Sequence, residues 1–301
     1  MIRQVWVVGE VLIDLIPKDR ERIPIVGGGP ANTAKALAKL GIDTQLIDGI
    51  SNDKYGLMAK DELLISGIKL DYVKYSDKPT CLAIVSLSDS GSASYEFVIE
   101  STATFDFTLD WLPNPQTEQP LLLYIGTLAT AIEPGASVLF GWAQSVAKVA
   151  PIVFDPNIRP AVINNRKKYV TQVEKWISIS SAVKVSDEDI MWLYPSFEIE
   201  QVVNSWLTTG PSLIVVTYGD QGLAGYREGE KVNVDAVKVA VADTVGAGDT
   251  VGAILVEAIV QDGLSSLSGV RLEMMLKRAA KAAAITVSRT GANPPTLKEI
   301  E

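Results

Sequence analysis

The chain has 301 residues, of which 47% are apolar and 21% are charged, and its net charge is −9. A chain of this length can form one large domain around a sizeable core. The acidic balance, without any basic run, argues against nucleic acids and anionic membranes as partners. There is no histidine and only one cysteine, Cys81. These counts exclude histidine-containing catalytic triads, histidine-ligated metals, internal disulfides and CxxC metal sites.

The first residues, MIRQVWVVG, form a short strand-like run without the long apolar stretch of a secretion signal. No apolar run approaches the about 20 residues of a membrane span. Cys81 lies in the apolar run CLAIVSL, where we expect a small buried hydrophobe rather than a nucleophile. These features favour a cytoplasmic protein with no membrane partner. They also leave acid–base chemistry to Asp, Glu, Lys or Tyr.

Short apolar runs alternate with helical segments along residues 1–301, which we expect to form a single domain. Such alternation is typical of an α/β fold with a mainly parallel sheet flanked by helices on both faces. The segment PANTAKALAKLG starts with Pro30 and ends at Gly41, which predicts the first helix. The apolar runs that predict strands are VWVVG near 5, TQLID near 44, LLLYIG near 121, PIVFD near 151, AVKVS near 182 and LIVVT near 213.

Two segments interrupt this alternation. Residues 11–25 are mixed and punctuated by proline, and residues 80–99 have the pattern of a hairpin that turns at 89–91. Together they predict a small antiparallel sheet outside the main one, which would act as a lid over a ligand. The strand CLAIVSL is apolar on both faces, so each face should be covered. This pattern also predicts a homodimer through the lid.

The stretch DTVGAGDT, residues 243–250, precedes apolar positions at helical spacing that begin at Val251. Gly246, Ala247 and Gly248 therefore lie at a helix N-terminus, where free amide groups and the helix dipole favour a phosphate. Asp249, next to such an anion, is suited to remove a proton from an attacking hydroxyl. A tight turn followed by a helix-starting aspartate is the alternative for these residues alone.

A second glycine-rich stretch, VGGGPANTA, spans residues 26–34. Gly27 and Gly28 would let a polar ligand approach the backbone, and Asn32 offers both a donor and an acceptor; an ordinary flexible loop is the alternative. The stretch lacks the GxGxxG spacing of dinucleotide sites, and the chain has no Walker lysine motif. Asp14 is an acid inside the apolar run GEVLIDLIP, and such residues are usually paired or bound to a ligand.

Taken together, these motifs resemble the ribokinase-like (PfkB) family of carbohydrate kinases over nearly the whole chain. GGGPANTAKALAKLG and ISNDKYG resemble its N-terminal signature, and DTVGAGDT resembles its C-terminal signature. FDPNIRP, KVSDEDI, VVTYGDQG and SRTGANPP follow in the family's order. The resemblance implies that the γ-phosphate of ATP is transferred to a sugar hydroxyl. It also implies ATP and Mg²⁺ as cofactors and, as in many members, K⁺.

The resemblance also implies a role for each matching residue. Asp249 would be the base, and the backbone amides of Gly246, Ala247 and Gly248 would stabilise charge on the transferred group. The implied sugar-binding residues are Asp14, Gly27, Gly28, Asn32 and Arg159, and the implied nucleotide-binding residues are Lys184, Ser186, Thr217, Gly219 and Gly222. Glu188 and Asp189 would act on Mg²⁺ through water. The backbone carbonyls of Asp243, Val245 and the 289–293 loop would surround a monovalent cation.

The residues in the motifs GGGPANTA, FDPNIRP and KVSDEDI are closer to those of fructokinases than to those of ribokinases, which favours a fructokinase-like member with fructose as the acceptor. Three positions depart from the family pattern. Ser186 to Asp189 replace an Asn-x-x-Glu motif, Lys281 stands where Asn or His is frequent, and Glu100 stands where many fructose kinases carry Arg. The alternatives on the same fold are kinases of ribose, 2-keto-3-deoxygluconate, or a nucleoside or aminoimidazole riboside. A catalytically silent sugar-binding regulator would be expected to lack Asp249.

Overall fold

Strands and helices alternate along the chain in the computed structural model, which describes residues 3–18, 21–87 and 93–301. The strands are β1 Val5–Val8, β2 Leu12–Lys18, β3 Glu21–Gly27, β4 Thr44–Ile47, β5 Gly49–Ser51, β6 Lys74–Ser76, β7 Leu82–Leu87, β8 Ala93–Val98, β9 Leu122–Gly126, β10 Ile152–Asp155, β11 Ala182–Ser186, β12 Leu213–Thr217, β13 Leu223–Arg227 and β14 Glu230–Val234. The helices are α1 Gly29–Lys39, α2 Lys54–Ile65, α3 Pro115–Glu118, α4 Gly135–Val146, α5 Arg166–Ile177, α6 Asp187–Leu193, α7 Ile199–Leu207, α8 Ala247–Asp262, α9 Gly269–Val287 and α10 Leu297–Ile300.

The larger sheet has eight strands in the order β14-β13-β12-β11-β10-β9-β1-β4. The six strands from β12 to β4 are parallel, and β13 and β14 pair antiparallel at one edge. Most positions of the parallel strands are apolar, as expected for strands whose two faces are both buried. In β12, Ile214 and Val216 join the hydrophobic core on one face, whereas Leu213 and Val215 join the core on the other.

Helices cover both faces of this sheet, which confirms the predicted α/β fold. Residues of α1, α2, α8 and α9 share one core with the sheet, and residues of α4, α5 and α7 share the other. In the part of the chain that the structure describes, no helix is both long enough and apolar enough to cross a membrane.

The predicted small sheet is present, in the strand order β3-β2-β7-β8. It consists of two antiparallel hairpins, β2 with β3 and β7 with β8, of which the sequence pattern predicts the second. The two hairpins are joined by parallel pairing of β2 with β7, so the sheet is mixed rather than purely antiparallel. The turn predicted at 89–91 lies outside the described residues.

The strand order of the larger sheet reverses between β1 and β9. From β1 the chain continues to β4 on one side, whereas β9 continues to β10, β11 and β12 on the other. Ligands of open α/β sheets bind beyond the carboxyl ends of the strands at such a reversal. The residues that follow these ends are Glu10 after β1, Thr127 after β9 and Asn157 after β10.

Candidate active site

Asp249 is the third residue of α8 and contacts the start of α1. Its Oδ2 accepts a hydrogen bond from Asn32 Nδ2 at 2.9 Å, and its backbone carbonyl accepts one from Thr33 Oγ1 at 3.3 Å. Gly246 caps the helix with φ +82°, a left-handed conformation that favours glycine. The N-termini of α1 and α8 therefore meet at the Asp249 carboxylate, and the free amide groups of α8 lie beside it.

The Asp249 carboxylate is nearly inaccessible, with 8% of the residue exposed. Burial raises the pKa of Asp249 to about 6, against the lowering effects of Lys184, the Asn32 hydrogen bond and Arg159. Asp155 raises the same pKa further. A carboxylate with this pKa is largely ionised at neutral pH yet more basic than an ordinary aspartate, as a general base requires.

Asp14 lies on β2, opposite Ile25 of β3. Burial raises the pKa of Asp14 to about 6, although Lys35 and Arg159 lower it. Gly27 lies so close that a Cβ atom on it would be 2.1 Å from Asp14 Oδ2. The absence of a side chain at Gly27 is therefore what leaves room for the Asp14 carboxylate.

Gly28 and Asn32 complete the part of the site contributed by the glycine-rich stretch. Gly28 has φ +105°, and a Cβ atom on it would lie 2.2 Å from the backbone oxygen of Glu10. Asn32 donates its amide to Asp249, and its Oδ1 atom is buried without a hydrogen-bond partner among the described residues. This acceptor is available to a ligand hydroxyl.

Two further residues, Thr127 and Asn157, lie near Asp249 at the start of α1. The sequence analysis did not single them out. A Cβ atom on Gly29 would lie 3.0 Å from Asn157 Nδ2, 3.0 Å from Thr127 Cγ2 and 3.3 Å from Asp249 Oδ1. Thr127 and Asn157 have φ of +59° and +40°, which is uncommon for residues other than glycine. Backbone of this kind clusters at functional sites. Their sequence signal is their position just after the strand runs LLLYIG and PIVFD.

Glu10 is a third residue that the sequence analysis missed. It is 4% exposed, and its Oε2 accepts hydrogen bonds from the Thr127 hydroxyl and, at 3.3 Å, from the backbone amide of Ala129. Burial raises the pKa of Glu10, while the Thr127 hydrogen bond and the charge of Arg159 lower it. Glu10 thus fixes the loop that follows β9.

Arg159 is held at the site by Asn157. Its Nη1 donates to Asn157 Oδ1 at 2.7 Å and to the backbone oxygen of Ile158 at 3.1 Å. Its charge lowers the pKa values of both Asp14 and Asp249. The structure therefore brings Arg159 into the same electrostatic environment as the two carboxylates.

Lys184 is 4% exposed and forms an ion pair with the fully buried Asp155, with 3.0 Å between Nζ and Oδ2. A Cβ atom on Gly248 would lie 2.7 Å from Lys184 Nζ. The structure thus places Lys184 beneath the first turn of α8.

The other residues predicted on the nucleotide side lie at the ends of β11 and β12. Ser186 and Thr217 are paired in the register of these strands. Ser186 also caps α6, because its Oγ accepts from the amide of Asp189 at 3.0 Å. Gly219 is exposed, with φ +55°. Gly222 is buried against backbone, since a Cβ atom on it would lie 2.1 Å from the backbone oxygen of Val234.

The residues predicted to act on cations lie in two places. Glu188 is exposed on α6, whereas Asp189 Oδ1 accepts from the amide of Ile158 at 3.0 Å. The Asp243 carboxylate accepts from the amides of Val245 at 3.1 Å and Gly291 at 2.9 Å, which joins the loops 243–245 and 289–293. Within residues 3–18, 21–87 and 93–301, no group of three or more Cys, Asp or Glu residues could hold a metal ion.

Comparison with known proteins gives consistent matches. Residues 3–299 match the model of the pfkB family carbohydrate kinase. A fructokinase of Rhizobium leguminosarum bv. trifolii is 34% identical over 266 residues, which cover 85% of this chain and 79% of the relative.

Two solved structures share the fold. The structure of fructokinase with bound ATP from Xylella fastidiosa has a TM-score of 0.91 at 24% identity and covers 99% of this chain and 96% of that one. A fructokinase double mutant from Vibrio cholerae O395, in a fructose, ADP and potassium ion bound form, has a TM-score of 0.86 at 24% identity, covering 96% and 94% of the two chains. The family predicted from the sequence motifs is confirmed.

Proposed function

Since this chain belongs to the pfkB family of carbohydrate kinases, we propose that it transfers the γ-phosphate of ATP to a hydroxyl of D-fructose. The observation that carries the proposal is the Asp249 carboxylate, buried where the N-termini of α1 and α8 meet. The fructokinase name of the relative with 34% identity supports fructose as the acceptor. The ATP in the Xylella fructokinase structure supports ATP as the donor.

In the proposed reaction, Asp249 accepts the proton of the attacking sugar hydroxyl. The hydroxyl oxygen forms a bond to the γ-phosphorus while the bond between that phosphorus and the β–γ bridging oxygen breaks, which releases ADP. The amide groups at the start of α8, from Gly246 to Gly248, donate hydrogen bonds to the phosphoryl oxygens as negative charge develops. Arg159 supplies positive charge nearby.

The sugar is held by the polar groups around Asp14 and Asn32. The Asp14 carboxylate accepts hydrogen bonds from hydroxyls, and the unpartnered Asn32 Oδ1 accepts another. Gly27 and Gly28 let the sugar approach the backbone closely. A substrate that lacks one of these hydroxyls would leave a buried polar group unpaired, which reduces its kcat/KM by up to about 10⁴-fold.

The nucleotide is proposed to lie along the ends of β11 and β12, near Lys184, Ser186, Thr217, Gly219 and Gly222. Exposed apolar side chains in the segment 237–245 support an adenine site, because they offer the apolar surface on which a base packs. These side chains are Val237, Val239, Val241 and Val245, between 41% and 64% exposed.

The residues present fit the two cations in different ways. Magnesium takes several water and phosphate ligands, so the exposed Glu188 and the hydrogen-bonded Asp189 fit contacts through water better than direct ligation. A monovalent cation fits the junction that the Asp243 carboxylate holds together, with carbonyl ligands from Asp243, Val245 and the 289–293 loop. The potassium ion in the Vibrio fructokinase structure supports potassium as the monovalent cation. When bound, the magnesium ion would neutralise phosphate charge.

The small sheet β3-β2-β7-β8 is proposed to close over the sugar and to form a homodimer with the same sheet of a second chain. Its two faces carry exposed apolar side chains, Ile23 on one face and Val98 on the other, 38% and 40% exposed. One face can cover the sugar while the other packs on the partner. We expect light scattering at micromolar concentration to give the mass of a dimer and Val98→Glu to give a monomer. A wild-type monomer would contradict the dimer.

The substrate is tested by measuring kcat/KM for D-fructose beside D-ribose, 2-keto-3-deoxygluconate and aminoimidazole riboside, with ATP as the donor. D-fructose is expected to give the highest value. If another sugar is best, the family assignment stands and the acceptor is wrong. A riboside or another ketose is the alternative because Glu100, exposed after β8, stands where a basic residue would suit a fructose kinase.

A further inference from the structure

Three buried polar side chains on neighbouring strands lie beneath the first two turns of α8. Lys184 Nζ on β11 and the Tyr124 hydroxyl on β9 both donate to Asp155 Oδ2 on β10, at 3.0 and 2.9 Å. Tyr124 and Asp155 are fully buried, and Lys184 is nearly so. The reaction described above assigns no chemical task to this ion pair.

Helix α8 has glycine at the two positions that face these groups. A Cβ atom on Gly248 would lie 2.7 Å from Lys184 Nζ, and one on Gly252 would lie 2.9 Å from the Tyr124 hydroxyl. Residues four apart lie on the same face of a helix. Glycine is a poor helix former, so its presence at both positions reflects the room that the Lys184–Asp155–Tyr124 group occupies against α8.

This ion pair is not well arranged for stability. Two buried charges lose their hydration, and their attraction offsets that loss only if the remaining polar atoms are also hydrogen-bonded. Asp155 Oδ1 is buried and has no hydrogen-bond partner among the described residues. A pair of this kind, placed directly under the residue that precedes Asp249, is better explained by a role in the reaction.

We infer that Lys184, held in place by Asp155, is a positioning residue whose ammonium group keeps the Asp249 carboxylate ionised and ready to accept the sugar proton. The inference deepens the proposed function and rests on it. Lys184 acts through Asp249 and does not itself need to touch the sugar.

The electrostatic surroundings of Asp249 agree with this role. Burial is the largest effect and raises the pKa of Asp249, and the charge of Lys184 is the largest effect that lowers it. Arg159 and the Asn32 hydrogen bond also lower the pKa of Asp249, whereas Asp155 raises it. Tyr124 adds no charge at neutral pH, and burial raises its pKa above the ordinary value of 10. The pKa of Lys184 is raised, despite burial, by Asp155 and Asp249, so its ammonium group stays protonated.

The test is a direct titration of the Asp249 carboxyl carbon by ¹³C NMR in the free enzyme, with the signal assigned by its loss in Asp249→Asn. In Lys184→Met, the midpoint is expected to rise by about one pH unit or more, because an opposite charge nearby has been removed. In Asp155→Asn it is expected to fall, since a like charge is gone while the amide oxygen still accepts from Lys184 Nζ and keeps it in place. Lys184→Arg, which keeps the charge, should stay near the wild-type midpoint.

A matched control removes another lysine of an Asp–Lys pair. Lys69 pairs with Asp43 at 2.8 Å on the exposed surface, and Lys69→Met should leave the Asp249 midpoint unchanged. If Lys184→Met does not fold, the Asp249 midpoint is measured in Lys184→Gln, where it should rise, and in Asp155→Asn, where it should fall. Thermal unfolding of each variant shows whether it is folded.

The inference is overturned if the Asp249 midpoint in folded Lys184→Met equals that of wild type, or if Asp155→Asn and Lys184→Met move it in the same direction. Neither result depends on phosphoryl transfer. If the midpoints move as expected but the wild-type protein phosphorylates no sugar, the proposed function fails while the electrostatic role stands. With an active enzyme, the acid limb of kcat/KM should move with the midpoint.

Discussion

Replacing Asp249 by asparagine should stabilise the free enzyme at the same time as it removes activity. The native pKa of Asp249 is raised from the ordinary value of 3.8 to about 6, mainly by burial. The native state therefore binds this proton more tightly than the unfolded chain does, so the fold loses stability as the pH rises from 3.8 to about 6. At about 1.4 kcal/mol per pKa unit, the ionised carboxylate costs about 3 kcal/mol at pH 8, and the neutral amide of the Asp249→Asn variant avoids that cost.

The assay is urea unfolding of wild type and Asp249→Asn at pH values from below 3.8 up to 8. The free energy of unfolding of the variant should exceed that of wild type by up to about 3 kcal/mol at pH 8. The gain should shrink as the pH falls through 6, and it should vanish below 3.8, where the aspartate is protonated in both states. A constant difference, or a less stable variant at pH 8, would refute the reasoning.

Asp53 provides a control with the opposite sign. It caps α2. Burial raises the pKa of Asp53, but hydrogen bonds from Thr80 and Gly56 have a larger, opposite effect and lower it to about 2. Its ionised form therefore stabilises the fold at pH 7, and this stabilisation is lost as the pH falls from 3.8 through 2. Asp53→Asn should lower the free energy of unfolding at pH 7 where Asp249→Asn raises it.

Two further predictions concern the pH profile and the helix glycines. Because burial raises the pKa values of Asp14 and Asp249 to about 6, kcat/KM should fall below pH 6 with a logarithmic slope approaching two; a flat profile down to pH 5 would contradict both assignments. Gly252→Ala should lower the free energy of unfolding by about 1–3 kcal/mol, since its methyl group would meet the Tyr124 hydroxyl. Gly141→Ala, on α4 with nothing within 4 Å of its Cβ position, should instead raise it by about 0.5–1 kcal/mol; equal effects of the two substitutions would contradict the packing of α8.

The parallel strands and the start of α8 could be predicted from the sequence because their signals are local. A run such as LIVVT is apolar and buried at its first four positions, which suits a strand buried on both faces. The glycines before Val251 mark a helix start. The hairpin β13–β14 was not predicted, since β14 alternates between half-buried and exposed residues and lacks the continuous apolar run of the parallel strands.

The parts of the site that the sequence did not reveal depend on tertiary contacts. Glu10, Thr127 and Asn157 converge only because β1, β9 and β10 are adjacent in the sheet. In the sequence alone, Gly252 is an unfavourable residue inside a helix. Only the structure explains why glycine is needed there, because the Tyr124 hydroxyl occupies the space of a side chain. The parallel pairing of β2 with β7 joins segments about seventy residues apart, for which no local pattern exists.

The central claim is that Asp249 is the base in phosphoryl transfer from ATP to a sugar hydroxyl. The most direct measurement is ³¹P NMR of wild type and Asp249→Asn with ATP, Mg²⁺ and D-fructose, alongside calorimetric titration of ATP into each protein. Wild type is expected to give fructose phosphate and ADP, with the rate reduced by about 10² to 10⁴-fold in a folded variant that still binds ATP. Near-normal turnover by folded Asp249→Asn would contradict the claim.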